Sequence, residues 1–307
     1  MKYAPIALFV YSRLGHARET VHALKNNQLA SESDLIVFSD GPRSDRDVES
    51  VKQVRQYILG INGFKSVSVV LRDQNLGLSR SLISGVSQVL ETYDRTIVLE
   101  DDIITSPFFL QYMNDGLNYY VDDERVISIH GYVLPVKYTL PETFFLIGTD
   151  CWGWGTWRRG WALFNSDGRY LLNELIKRKL VRQFDLDGAY PYTRMLKRQI
   201  NGKNDSWAIR WYASAFLENK LTLYPGRSMI QNIGTDASGT HCGINRDYDT
   251  SISSEPIKVG GIDIIHSSRG YEAYRELFLK MGGASRVRRV IQRLLAFVRR
   301  RQKHGRV

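Results

Sequence analysis

At 307 residues with 43% apolar content, the chain is long enough for one large α/β domain or two small ones with a proper core. Its net charge of +10 is no argument for a nucleic-acid-binding body: no acidic residue follows Glu276, ten basic ones do (Lys280 to Arg306), and the rest balances at 32 basic and 32 acidic residues. Cys151 and Cys242 make no CxxC pair or disulfide framework, which suits a reducing compartment; the first residues lack the regions of a signal peptide, and no apolar run approaches the roughly 18–20 residues of a membrane span.

Residues 4–11 predict a first buried strand, with a turn at Ser12-Arg13-Leu14-Gly15 and a helix carrying Thr20, Val21 and Leu24 on its inner side. Leu35–Phe38 predicts a second strand, closed by Ser39-Asp40-Gly41-Pro42, and a charged helix follows over about 45–59. Val67–Leu71 predicts a third strand, then Asn75-Leu76-Gly77-Leu78 and a helix to about 92. The fourth strand, Thr96-Ile97-Val98-Leu99, ends in Glu100-Asp101-Asp102. Strands alternating with helices at this spacing predict βαβ units in a mostly parallel sheet with helices on both faces. Such sheets bind ligands at the carboxyl ends of their strands. Arg13, Asp40, Asn75 and the three acids therefore converge at one edge. Three adjacent carboxylates repel one another, so a divalent cation carrying a diphosphate is the expected partner.

The second half is less regular. A helix is expected over about 106–120, a strand at Val126–Ile129, two helices over about 168–200, and a third from Asp205 to about Lys220. Between them lies an aromatic, glycine-rich segment, Asp150 to Arg159, and after them a long polar loop from Gln231 to Asp249. Motifs for triphosphate, dinucleotide, serine-hydrolase and zinc chemistry (GxxxxGK[ST], GxGxxG, GxSxG, HExxH and CxxC) are absent.

Asp40-Gly41, Asn75-Leu76-Gly77 and Glu100-Asp101-Asp102, each after its strand, together resemble a glycosyltransferase of the GT-A fold. Trp152-Gly153-Trp154-Gly155-Thr156-Trp157 and Asn232 to His241 are similar to segments of bacterial family 2 sugar transferases. The acidic triplet is also similar to that of N-acetylglucosaminyltransferase I. The resemblance covers about residues 4–250. It implies a catalytic domain over 1–276, with a nucleotide-sugar half (1–104) and an acceptor half (105–276). It implies a nucleotide-sugar donor, most readily UDP-linked, a divalent metal (Mn2+ or Mg2+) and inversion at the anomeric carbon.

Carried onto this sequence, the resemblance makes Asp102 the metal ligand and places Asp101 by the ribose or the metal's waters, with Glu100 bracing the loop. The alternative for Asp102 is a turn carboxylate capping the helix near Ser106. Asp40 would accept from the base or ribose, or simply serve turn chemistry. Arg13 and Arg80 would reach phosphates, or be solvated. His241 would complete the metal site, or bond the backbone. Asp205 is the candidate base for the acceptor hydroxyl, with an N-cap as its other role and Asp150 and Asp236 behind it. Trp152, Trp154 and Trp207 are candidate sugar contacts, whereas Trp161 and Trp211 read as core.

Residues 277–307 form a basic tail, with Val287, Val290, Ile291, Leu294, Leu295 and Val298 in a helical stripe. Such a helix lies on an anionic membrane surface, through 286–303, or packs on the body or a second subunit. The first reading suits a lipid-linked glycan acceptor on the cytoplasmic face, in surface polysaccharide or lipopolysaccharide synthesis. Two alternatives stand beside a transferase: a glycan-binding scaffold with a degenerate site, and a sugar nucleotidyltransferase.

Overall fold

The computed structural model describes residues 3–236 and 246–282. His241 and the basic stretch 286–303 lie outside the described residues. The chain runs β1 (Ile6–Val10), α1 (Leu14–Lys25), β2 (Asp34–Ser39), α2 (Val48–Leu59), β3 (Ser66–Leu71), α3 (Gly77–Thr92), β4 (Arg95–Glu100), β5 (Ile103–Thr105) and α4 (Phe109–Tyr119). It continues through β6 (Val126–His130), β7 (Thr143–Ile147), β8 (Trp154–Trp157), α5 (Arg158–Trp161), α6 (Gly168–Lys177), α7 (Val181–Phe184), α8 (Tyr192–Ile200), α9 (Trp207–Leu217), β9 (Leu221–Pro225) and β10 (Ile230–Asn232). Residues 268–282 are helical and form α10.

Eight strands form one sheet in the order β3-β2-β1-β4-β8-β6-β9-β7. The first four pair in parallel, as their unbroken apolar runs predict. β8 enters antiparallel between β4 and β6, β9 is parallel to β6, and β7 closes the sheet antiparallel to β9. Six strands thus share one direction. The aromatic segment is therefore partly a central strand, and the expected long loop begins with β10, paired antiparallel to β5.

Successive side chains of β1 alternate between two cores, as the pleat requires. Ile6, Leu8 and Val10 meet α1, α2 and α4, while Ala7 and Phe9 meet α3, α9 and the tryptophans. Against Phe9 the helix α3 presents Gly85, where an added Cβ would sit 2.5 Å from the ring. That contact sets how closely α3 lies on the sheet. A third core joins α6, α7, α8 and α9 through Leu171, Leu175, Phe184, Leu196 and Ile209. Among the described residues no helix is long and apolar enough to cross a membrane.

Candidate active site

β4 delivers its acids at the carboxyl end of the sheet, beside the end of β1. Asp101 and Asp102 are buried, and the Arg13 guanidinium, from the turn after β1, bridges them. One Nη of Arg13 donates to Asp101 Oδ1 and, at 2.8 Å, to Asp102 Oδ2. Thr20 of α1 fixes the backbone here: its hydroxyl donates to the Asp101 carbonyl and accepts from Ile103 N–H, at 2.8 and 3.1 Å.

The electrostatics call for more positive charge than one arginine supplies. Burial, then repulsion from Asp102 and Asp101, pushes the half-buried Glu100 carboxyl up to about 8, against the pull of Arg13. Burial likewise raises Asp101 to about 6, with Arg13 pulling down and Asp102 pushing up. Burial works against the charge on Arg13, but the two carboxylates outweigh it and hold its pKa above the ordinary value.

Asp102 Oδ1 is buried and has no hydrogen-bond partner. After β10 the chain folds back over this acid: Ile233 N–H donates to the Asp102 carbonyl at 2.9 Å. Gly234 comes next, and a Cβ there would lie 2.1 Å from Asp102 Oδ2 and 3.1 Å from an Nη of Arg13. Only a residue without a side chain leaves that approach open. Gly234 was not singled out in the sequence, where nothing marks it apart from its neighbours in a polar run.

A hard divalent cation fits this donor set. Among the described residues no group of three or more His, Cys, Asp or Glu converges on one point. Among these residues the protein side offers Asp101 and Asp102; phosphate oxygens, water or a residue outside them would supply the remaining positions.

Asp40 closes the next position along the edge. Its carboxylate accepts from the N–H groups of Gly41, Leu76 and Gly77, at 2.9–3.1 Å. It thus braces the start of α3, where charge complements the helix dipole. Asn75 Nδ2 ties the same turn to the Gly41 carbonyl at 2.8 Å. Arg80 is exposed on the first turn of α3.

Asp205 lies just outside α9, and its carboxylate is largely exposed. The helix is capped by Ser206, whose Oγ accepts from Ile209 N–H at 3.2 Å, so Asp205 is spared the N-cap role. Arg210 of the first turn of α9 stands 3.7 Å from Asp205 and donates to Ser79 Oγ of α3 at 2.6 Å. This buried arginine draws Asp205 toward the edge where α3 begins. It went unrecognised in the sequence, where it is one arginine among many.

The aromatic expectations divide. Trp154 is fully buried and stacks on Trp207, with ring centroids 5.5 Å apart and Trp161 and Trp211 around them. Trp154 and Trp207 are thus core side chains, and their assignment as sugar contacts is corrected. The alternation of β8 turns the Trp154 ring onto the α3–α9 face. Trp152 alone keeps a half-buried ring, set edge-on to Tyr132 and Tyr248.

His130, at the end of β6, is fully buried, with neither ring nitrogen hydrogen-bonded. Asp150 stands 3.6 Å away, and the rings of Tyr132 and Tyr224 flank it. Burial lowers the imidazole pKa, opposed by Asp150. On acidification the unfolded chain takes up this proton first, so the contribution of His130 to stability is constant above about pH 6.5 and falls below it, while the raised Glu100 and Asp101 act in the opposite sense. In thermal melts from pH 8 to 5, His130→Gln is expected to gain stability relative to wild type as the pH falls below about 6.5. An unchanged slope in the variant would refute the assignment.

No family model matches the sequence, and no curated protein matches it. Among solved structures the chain is similar to a mannosyltransferase, PcManGT, of Pyrobaculum calidifontis in complex with GDP-Man and Mn2+: 12% identity over 43% of this chain and 36% of that one, TM-score 0.31. TarS of S. aureus matches at 12% identity over 55% of this chain and 26% of its own, TM-score 0.31. Glucosyl-3-phosphoglycerate synthase of Mycobacterium tuberculosis, with Mn2+, UDP and glucosyl-3-phosphoglycerate, matches at 12% over 52% and 58%, TM-score 0.29. The chain thus spans about a third of the mannosyltransferase and a quarter of TarS. Scores of that size leave the chemistry to be argued from the site itself.

Proposed function

We propose that the protein is a metal-dependent glycosyltransferase that moves a sugar from a nucleotide-sugar donor to a glycan or lipid-linked acceptor. The observation that carries the reading is the buried pair Asp101 and Asp102 at the carboxyl edge of a mostly parallel sheet, with Asp102 Oδ1 unpartnered and Gly234 clearing the space beside it.

Asp102 and, beside it, Asp101 would hold Mn2+ or Mg2+, and His241 is proposed as a further ligand. The bound cation supplies Lewis-acid neutralisation of the leaving diphosphate. Arg13 already lies on the two carboxylates, within reach of any phosphate brought to them, and its fork of donors suits phosphate oxygens. Asp40 takes the N–H groups of Leu76 and Gly77 and so holds the start of α3, from whose first turn the exposed Arg80 would reach the donor phosphates.

Asp205 takes the proton of the attacking acceptor hydroxyl. Its carboxylate is exposed and unspent on the backbone, and its placement by Arg210 supports the assignment. Attack from that side opposite the leaving group inverts the anomeric centre. The basic stretch 286–303 suits an anionic membrane surface, which agrees with a lipid-linked acceptor used at the cytoplasmic face in surface polysaccharide synthesis.

Thermal melts with UDP-, GDP- and dTDP-sugars, each with Mn2+ or with chelator, test the reading. One nucleotide series, UDP first, is expected to stabilise the protein only when metal is present. Asp205→Asn is expected to keep that stabilisation and to lose transfer about 10²–10⁴-fold, the usual worth of a general base. No metal-dependent nucleotide binding would leave a glycan-binding scaffold as the reading.

A further inference from the structure

Away from the acidic edge, the structure holds a second cavity of about 630 Å³, within the roughly 300–1,000 Å³ of small-molecule sites. It lies between the β7–β9 side of the sheet, α7, the α9 flank and the start of α10. Tyr192, Tyr212, Tyr224, Tyr271, Tyr274 and Phe216 wall it.

Its charged lining is one-sided. Asp150, Asp187 and Glu272 line it, and among the described residues no lysine or arginine does. Arg182 and Arg275, from outside the lining, pair with Asp187 and Glu272 at 3.6 and 3.1 Å. Asp150 has no arginine or lysine partner among the described residues. A phosphate or other anion would meet these carboxylates and find no lysine or arginine in the lining, which disfavours the donor diphosphate here. An uncharged polyhydroxylated ring suits it, since C–H faces pack on aromatic rings while phenols and carboxylates take up hydroxyls.

The wall at Asp187 is held against its backbone preference. Leu186, Asp187 and Gly188 follow one another at φ of 49°, 53° and 87°, a left-handed run in which two residues carry side chains. Such conformations cost about 1–3 kcal/mol each and persist at ligand clamps. The run sets the Asp187 carboxylate where Tyr271 Oη donates to it at 2.9 Å. Asp150 lines it, and four residues on Trp154 pairs with Val98 of β4, two residues before Glu100, so the segment 150–153 runs from the cavity toward the acids. The aromatic wall and the acid triplet thus lie on either side of one short segment.

We propose that this cavity binds an uncharged sugar ring of the acceptor, with Asp150 at the end nearest Glu100–Asp102. The word acceptor rests on the glycosyltransferase reading; the preference for a neutral glycan does not.

The test uses the full chain in chelator without nucleotide, so that it is independent of the donor site. An array of neutral and anionic oligosaccharides is probed first, and the strongest neutral binder is then titrated by calorimetry. Wild type is expected to bind neutral glycans in preference to anionic ones. Tyr212→Ala is expected to weaken binding at least 10-fold. Because that ring also packs on Gly148, Asp187→Asn and Tyr271→Phe, which leave the shape of the wall intact, serve as the second pair, each expected to cost about 3–10-fold. Preference for anionic glycans, no neutral binding, or equal affinity in folded Asp187→Asn and Tyr271→Phe would each overturn the proposal. Failure of the transferase reading shows separately, as wild type without metal-dependent nucleotide stabilisation.

Discussion

Asp102→Asn is expected to lower sugar transfer about 10³-fold while leaving the fold intact. A cation on a leaving diphosphate is worth several kcal/mol of transition-state charge stabilisation, and about 1.4 kcal/mol corresponds to each tenfold. The asparagine keeps the shape of the side chain and its Oδ atom but removes the anionic character that holds a hard cation. The loss should appear both in initial rates at saturating donor and in weakened Mn2+ affinity measured by calorimetry. Near-wild-type transfer with unchanged Mn2+ affinity would sink the assignment of Asp102. The substitution is also a mild one for stability, because Oδ1 has no partner to lose and Arg13 retains its bond to Asp101.

Arg13→Ala is expected to destabilise the metal-free protein by about 3 kcal/mol, the usual cost of removing one partner of a buried pair. Two carboxylates would then share the site with no cation against them, in a place where burial already pushes Glu100 and Asp101 up. The signature lies in what restores stability. Mn2+ replaces the missing charge, so its stabilising effect should be larger in the variant than in wild type, by mass action on a site freed of its internal competitor. Denaturant melts with and without Mn2+ measure both numbers. Equal stability of the two proteins in chelator would show that Arg13 does not neutralise the pair.

Both expectations turn on a contact between residues 88 and 89 positions apart. In the sequence Arg13 was a turn arginine available to phosphate, and nothing local named the carboxylates as its partners. The same holds for Asp40, whose oxygens are taken by the amides that open α3, and for Asp205, which is relieved of capping by Ser206. Turn residues carry a strong local signal for being at an edge. They carry none for which neighbour they bond, because that neighbour arrives from another βα unit.

The second half of the sheet shows the same limit at the level of elements. β7 and β9 are apolar five-residue runs, too short for their period to separate strand from helix or buried loop. They become strands because each pairs with the other and β9 also with β6. β8 carries the aromatic and glycine residues that suggest a ligand wall, yet it is inserted between β4 and β6 and buries Trp154 completely. An exposed aromatic platform and a buried aromatic stack have the same composition. Only the direction of the strand tells them apart.

What the sequence by itself determined was the parallel half of the fold and the position of its acids. Continuous burial on both faces is written locally as an unbroken apolar run, and four such runs with helices between them admit few arrangements. That places Glu100, Asp101 and Asp102 at the carboxyl edge of the parallel strands whatever the rest of the chain does. The tertiary structure alone decided which charge sits on those acids, which oxygen stays unpartnered, that Gly234 clears the approach, and that a tyrosine-walled cavity reaches Asp150, at the start of the segment that leads into β8 beside β4. Each depends on segments brought together by long-range pairing, such as β10 on β5, and the energy of such pairing is not a property of either segment alone.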